Sequence, residues 1–106
     1  MAKHRETKAT EISPQTKATV WTRDGCRCLL CGSINAGPHC HYIRRSQGGL
    51  GEERNIWTGC EACHRNFDSE ASNGPLHGIV RDYLKAWYKD WDESQLIYRK
   101  YDWSDK

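Results

Sequence analysis

The sequence predicts a small α+β domain, and three observations carry that expectation. Two CxxC pairs, Cys28-x2-Cys31 and Cys60-x2-Cys63, stand about thirty residues apart, a spacing suited to paired knuckles. Two short strand candidates, His39 to Ile43 and Asn55 to Thr58, flank a glycine-rich loop, and helical patterns precede and follow them. At 106 residues the chain reads as one domain, and at 37% hydrophobic and 28% charged it reads as a soluble globular one. No apolar run approaches the roughly 20 residues that a membrane-spanning helix needs. The N-terminal MAKHRETKATEISPQ has charges but no apolar h-region, so no secretory signal and a cytoplasmic location are expected. In a reducing compartment six cysteines read as metal ligands rather than as disulfides. A net charge of +2 is compatible with a nucleic-acid partner without requiring one.

Taken in order, residues 1 to 12 are polar and aperiodic and are expected to form a flexible tail. Ser13-Pro14 has the pattern of an N-cap and first helical residue, so a helix should run to about Arg23, where Asp24-Gly25 stops it, with Val20 and Trp21 buried. CRCLLCG, at 26 to 32, has knuckle spacing, and Gly32 permits the tight turn after the second sulfur. Between the strands, RRSQGGLGEER at 44 to 54 is too polar and too rich in glycine to be anything but a loop. A helix should start near Glu61, carry Cys63, His64, Phe67 and Asp68, and end before Asn73-Gly74. These elements make 13 to 73 the core, with 74 to 106 a helical extension packed on it. In the extension, Ile79, Val80, Tyr83, Leu84 and Trp87 form the expected buried face of a helix from about Gly78 to Asp90, opposite Arg81, Lys85 and Lys89. A shorter helix is expected from Asp92 to Lys100. Trp91, Tyr98, Tyr101 and Trp103 read as packing groups rather than base-stacking ones.

Cys28, Cys31, Cys60 and Cys63 supply four thiolates, the donor set that tetrahedral structural zinc prefers, and a domain with a single Phe gains from such a staple. Two redox CxxC motifs are the alternative, but neither has the strand-to-helix setting of the thioredoxin kind. Cys60-Glu61-Ala62-Cys63-His64 also matches the haem-attachment string, which requires export and finds no internal methionine to serve as distal ligand. Cys26 is left over and could replace Cys28 only by giving up CxxC spacing.

Beyond the cysteines, the stretch from Trp21 to Asp68 carries RDG-C-x-C-x2-C, then H-Y-I with RS-x-GG, then N-I-x4-C-x2-C-H. It resembles the HNH endonuclease family with its ββα-metal fold, and is most similar to the small zinc-stapled members of phage and prophage genomes. The resemblance implies a ββα-metal core and a role for each motif residue. His41 takes the place of the general base that strips a proton from the attacking water. Asn55 takes the place of the asparagine whose amide bridges the backbone across the 44 to 54 loop. His64 takes the place of a ligand for one catalytic divalent ion, Mg²⁺, Mn²⁺, Ni²⁺ or Zn²⁺, which acts as a Lewis acid at the scissile phosphate. Asp68, one turn after His64, is a further ligand, an acceptor for the imidazole, or a solvated surface carboxylate. Arg44, Arg45 and Arg65 flank the motif as DNA phosphate contacts, with Arg65 favoured because it adjoins His64.

Two histidines straddle Cys40. In an alternating strand His39 faces with His41 and away from Cys40, which favours ordinary packing for His39. The family places Asp or His, a ligand of the catalytic ion, where this chain has Cys40. Cys40 is then a ligand for a softer ion, a spectator beside His64 and Asp68, or the mark of a weakened enzyme. His4 and His77 have no evident role. The function expected from the resemblance is a metal-dependent endonuclease acting on double-stranded DNA with weak sequence specificity, with a phage packaging enzyme as a possible partner. The alternative is a zinc-stapled DNA-binding or phage assembly module that keeps the scaffold without cleavage.

Overall fold

The computed structural model describes residues 5–98. The chain runs through α1 (Arg5–Thr10), α2 (Pro14–Arg23), β1 (Ala36–His41), a 3-10 turn (Arg45–Gln47), β2 (Ile56–Cys60), α3 (Glu61–Ser69), α4 (Pro75–Trp87) and a second 3-10 turn (Glu93–Gln95). It is a small α+β arrangement in which a two-stranded antiparallel sheet is followed directly by α3. Among the described residues no helix is long and apolar enough to cross a membrane.

Local chemistry accounts for most boundaries. The Ser13 hydroxyl accepts from the Thr16 amide at 3.1 Å and Pro14 opens α2, a first turn whose missing N–H costs nothing. Cys60 ends β2 in extended backbone and caps α3, its sulfur accepting from the Cys63 amide at 3.4 Å. α4 opens on Pro75, and here the Glu70 carboxylate accepts from the amides of Leu76 (3.2 Å) and His77 (2.8 Å), satisfying donors that a helix start leaves free.

A buried ion pair at the end of α2 ties that helix to β2 and α4. The Arg23 guanidinium lies 2.7 Å from the Asp24 carboxylate, with the two side chains 4% and 0% exposed. Asp24 also accepts from the Thr58 amide in β2 at 2.8 Å and from the Tyr83 hydroxyl in α4 at 2.7 Å. Arg23 donates in turn to the carbonyls of Glu53 and Ile56, each at 2.7 Å, and to the Tyr88 hydroxyl at 3.2 Å. Around this network pack Trp57, Phe67, Val80, Leu84 and Leu96, all at most 1% exposed, with Tyr42 at the edge.

Three expectations are corrected. Within the expected tail of residues 1 to 12, the described part from Arg5 on is ordered against the body: α1 spans Arg5–Thr10, Thr10 is buried, and the Gly51 amide donates to the Ala9 carbonyl at 3.0 Å. α4 begins earlier and is rotated from the expected face, turning His77, Val80 and Leu84 inward, while Ile79 and Trp87 are 53% and 54% exposed. The histidine is accommodated because its ring stacks on Phe67 at 3.7 Å and its Nδ1 meets Glu70 at 2.8 Å. Lys89 falls beyond the end of α4, so the basic row with Arg81 and Lys85 is not one helical face. The helix expected from Asp92 is only the 3-10 turn, capped by Asp92 through the Ser94 amide. The chain then extends, pairing Ile97 with Gly49, so that Leu96 fills the core instead of continuing a helix. Tyr101 and Trp103 lie outside the described residues.

Replacing Asp24 by Ala leaves a buried guanidinium, a backbone amide and a hydroxyl without their acceptor, a loss on the order of 3–5 kcal/mol. Thermal denaturation should show a midpoint lower by at least about 10 °C, against a fall of only a few degrees for Tyr83→Phe. A second expectation concerns acid. Burial alone would raise the Glu70 pKa, but the bonds from His77 and Leu76 outweigh it and hold the carboxylate below its ordinary value of 4.5. Its contribution is therefore complete above that value and disappears as pH falls through the lower, folded one. Urea midpoints of wild type and Glu70→Gln should differ most near neutrality and converge as pH drops below about 4.

Candidate metal centres and cleft

The four cysteines of the two CxxC pairs come together although two lie in the turn after α2 and two at the junction of β2 and α3, a strand-to-helix setting that the sequence reading did not expect for either pair. The sulfurs of Cys28, Cys31, Cys60 and Cys63 all lie within 4.8 Å of one another. The Cys31 and Cys60 sulfurs are 3.6 Å apart, close to the edge of about 3.8 Å in a tetrahedron with zinc–sulfur bonds near 2.3 Å. Burial would push the Cys28 thiol up, but backbone donation from Cys60, Cys31 and Leu30 outweighs it and brings the thiol down to about 6. Gly32, at φ +79°, makes the turn that a knuckle requires. Cys26 is exposed and stands outside the cluster. These four residues fit a structural metal ion.

His41 and His64 line a cleft of about 620 Å³, together with Thr10, Lys17, Arg44, Arg45 and Asp68. His41, 8% exposed, has its Nε2 3.0 Å from the Thr10 carbonyl at the end of α1. A carbonyl can only accept, so Nε2 carries the proton and Nδ1 keeps the lone pair. Burial lowers the His41 pKa, the Thr10 carbonyl opposes this, and Arg45 adds to the lowering. The ring is thus a neutral imidazole with a basic nitrogen on the side away from Thr10.

Asn55 is fully buried at the start of β2. Its Oδ1 accepts from the Ile43 amide at 2.8 Å, and its Nδ2 donates to the carbonyls of Ile43 (3.1 Å) and Leu50 (2.8 Å). One side chain thereby closes the loop from 43 to 55 and fixes the exit of the strand that carries His41. On α3, His64 Nε2 is 3.1 Å from Asp68 Oδ2, a carboxylate in a position to orient the ring and leave its other nitrogen free.

His39 lines the cleft with His41, as alternation expects, yet its ring also reaches Cys40 and His64 rather than packing as an ordinary strand side chain. β1 pairs Gly37 with Gly59 but Cys40 with Trp57, so it holds one more residue than β2 over this interval. The bulge breaks the period of two, and the ring of His39 comes to 5.7 Å from that of His64, with Nδ1 3.8 Å from Cys40 Sγ. His39, Cys40 and His64 each present a ligand atom, and these lie within 4.8 Å of one another. Cys40 is fully buried, and that burial pushes its thiol well up. Asp68 is not a member of this group; it bonds His64 instead.

The basic residues divide. Arg44 and Arg45 line the cleft, and Arg44 also donates to the Asp68 carbonyl. Arg65, favoured from its position in sequence, is 74% exposed on the outer face of α3, 3.7 Å from Glu61, and does not line the cleft. Lys17 and Thr10 do line it. Sequence offers no signal for either, because their contribution arises from the docking of the N-terminal segment.

The purified protein should retain one zinc per chain through dialysis, and Cys60→Ser, which can still cap α3 but removes a ligand, should lose the zinc together with the fold. Metal analysis and circular dichroism read the two effects. Compared with family models, curated proteins and solved structures, the chain matches none.

Proposed function

We propose that this protein is a metal-dependent DNA endonuclease of the HNH type, with a ββα-metal core. The observation that carries the reading is the setting of His41: a neutral imidazole held through Nε2 by the Thr10 carbonyl, in a cleft shared with His64, Arg44, Arg45 and Lys17. Its free Nδ1 accepts a proton from water as that water attacks phosphorus. Asn55 acts on geometry alone, tying Ile43 to Leu50 so that the histidine's strand is held during the reaction. Arg44, Arg45 and Lys17 supply positive charge along the cleft for the phosphate backbone of duplex DNA. His64 would hold a divalent ion, which when bound supplies Lewis-acid stabilisation of charge at the scissile phosphate and the leaving oxygen. The products implied by the resemblance are a 5′ phosphate and a 3′ hydroxyl. Contacts to the phosphate backbone carry no base sequence, so the proposal includes weak sequence specificity, with a packaging enzyme as the kind of partner that would direct the cut.

The test is conversion of supercoiled plasmid to open-circular and linear forms with Mg²⁺, Mn²⁺, Ni²⁺ or Zn²⁺. His41→Ala should lower the rate at least about 100-fold while DNA affinity stays within about twofold, because a general base acts in the transition state. Binding without nicking in every metal would overturn the reading in favour of a DNA-binding or assembly module.

A further inference from the structure

We propose that His39, Cys40 and His64 together form a second metal site, one that bears a thiolate and selects a zinc-class ion over Mg²⁺. The ion's role in cleavage rests on the function proposed above; its binding does not. Three side chains from two elements, β1 and α3, converge with their ligand atoms within 4.8 Å of one another. His39 lies in the bulged interval of β1, where its Nδ1 stands 3.8 Å from Cys40 Sγ.

Two glycines clear the space. A Cβ at Gly37 would stand 2.7 Å from Cδ2 of His39, and one at Gly59 would stand 2.9 Å from Cys40 Sγ and 2.5 Å from the Trp57 ring. Gly37 and Gly59 are partners across the sheet, so one side-chain-free rung of the ladder holds the imidazole at one end and the sulfur at the other. His39 and His64 both line the cleft, so the group opens to solvent on the side where DNA would lie. Asp68 is bonded to His64, the outer partner that metal-bound imidazoles commonly have.

Ligand chemistry gives the selectivity. Two imidazoles and a thiolate suit Zn²⁺ and Co²⁺, whereas Mg²⁺ requires oxygen donors that this set lacks. On binding, the Cys40 S–H bond breaks, the metal–sulfur bond forms and the proton passes to water. Three protein ligands leave a coordination position open, as in catalytic rather than structural zinc sites.

Titration of the zinc-loaded protein with Co²⁺, followed by near-ultraviolet absorption and metal analysis, tests the site. One Co²⁺ should bind per chain with a thiolate-to-cobalt charge-transfer band, while the four-cysteine zinc is retained, and the band should fall on adding Zn²⁺ but not excess Mg²⁺. Cys40→Ser should abolish the band. His39→Ala, a change at an exposed side chain that spares the core, should weaken Co²⁺ binding at least about tenfold. Absence of a second bound ion, a band that survives Cys40→Ser in zinc-retaining protein, or wild-type affinity in His39→Ala would each overturn the proposal. A band without plasmid nicking would support the site and count against the nuclease; nicking with Mg²⁺ and no band would do the reverse.

Discussion

The ion pair between Arg23 and Asp24 is the joint on which the rest of the fold turns. Two adjacent residues at the end of α2 bind the backbone of β2, two tyrosines from α4 and beyond, and the loop before β2. Asp24 carries three separate donors on one carboxylate, and Arg23 fills its remaining N–H groups with carbonyls, which is the condition under which a buried pair offsets its desolvation. β2 is therefore held from below by Asp24 at Thr58 and from its end by Cys60 in the thiolate cluster. The knuckle adds a third tie, since the Leu29 amide donates to the Thr58 carbonyl at 2.9 Å. A strand of five residues anchored at this density is a rigid platform for the short α3 that carries His64.

The core beyond that joint combines aliphatic side chains with a group of packed rings. Trp57 meets Phe67 at 5.0 Å, and Tyr42 meets Trp91 at 5.6 Å, contacts whose tilted geometry suits ring quadrupoles. His77 completes the set by stacking on Phe67. Its polar nitrogen is tolerated there because Glu70 serves two purposes, capping α4 and accepting from the imidazole.

What was legible in the sequence was what is decided locally. Ser13-Pro14 announces a helix start by its own chemistry, the CxxC spacing brings sulfurs together by loop length alone, and the Asn55 amide finds its partners within a dozen residues. The misread features are those in which distant segments overrule a local pattern. RETKAT carries no apolar period, yet it forms α1 because Thr10 and Ala9 find partners at His41 and Gly51. His77 had no evident role in the sequence, but Glu70 and Phe67 make its burial favourable and rotate α4 with it. Strand alternation put His39 with His41, and both do line the cleft, but it gave no hint that a single inserted residue, invisible to a period-two pattern, brings the His39 ring beside Cys40 and His64 as well. The same bulge decides which side chains join Cys40.

The hold of Thr10 on His41 separates the histidine's orientation from the stability of the body that carries it. His41 lies on a strand tied down by the sulfur cluster and the buried ion pair, but the tautomer of its ring is set by a carbonyl 31 residues earlier, in a segment outside both. Undocking that segment would leave the sheet, the knuckles and Asn55 in place while freeing the imidazole to exchange its proton between nitrogens or turn about χ2. Local openings of this kind require far less free energy than global unfolding, and they occur at their own rate. The tautomer presented to the cleft is thereby tied to the docking of Ala9 and Thr10, a docking that amide exchange at Gly51 would report independently of the rest of the domain.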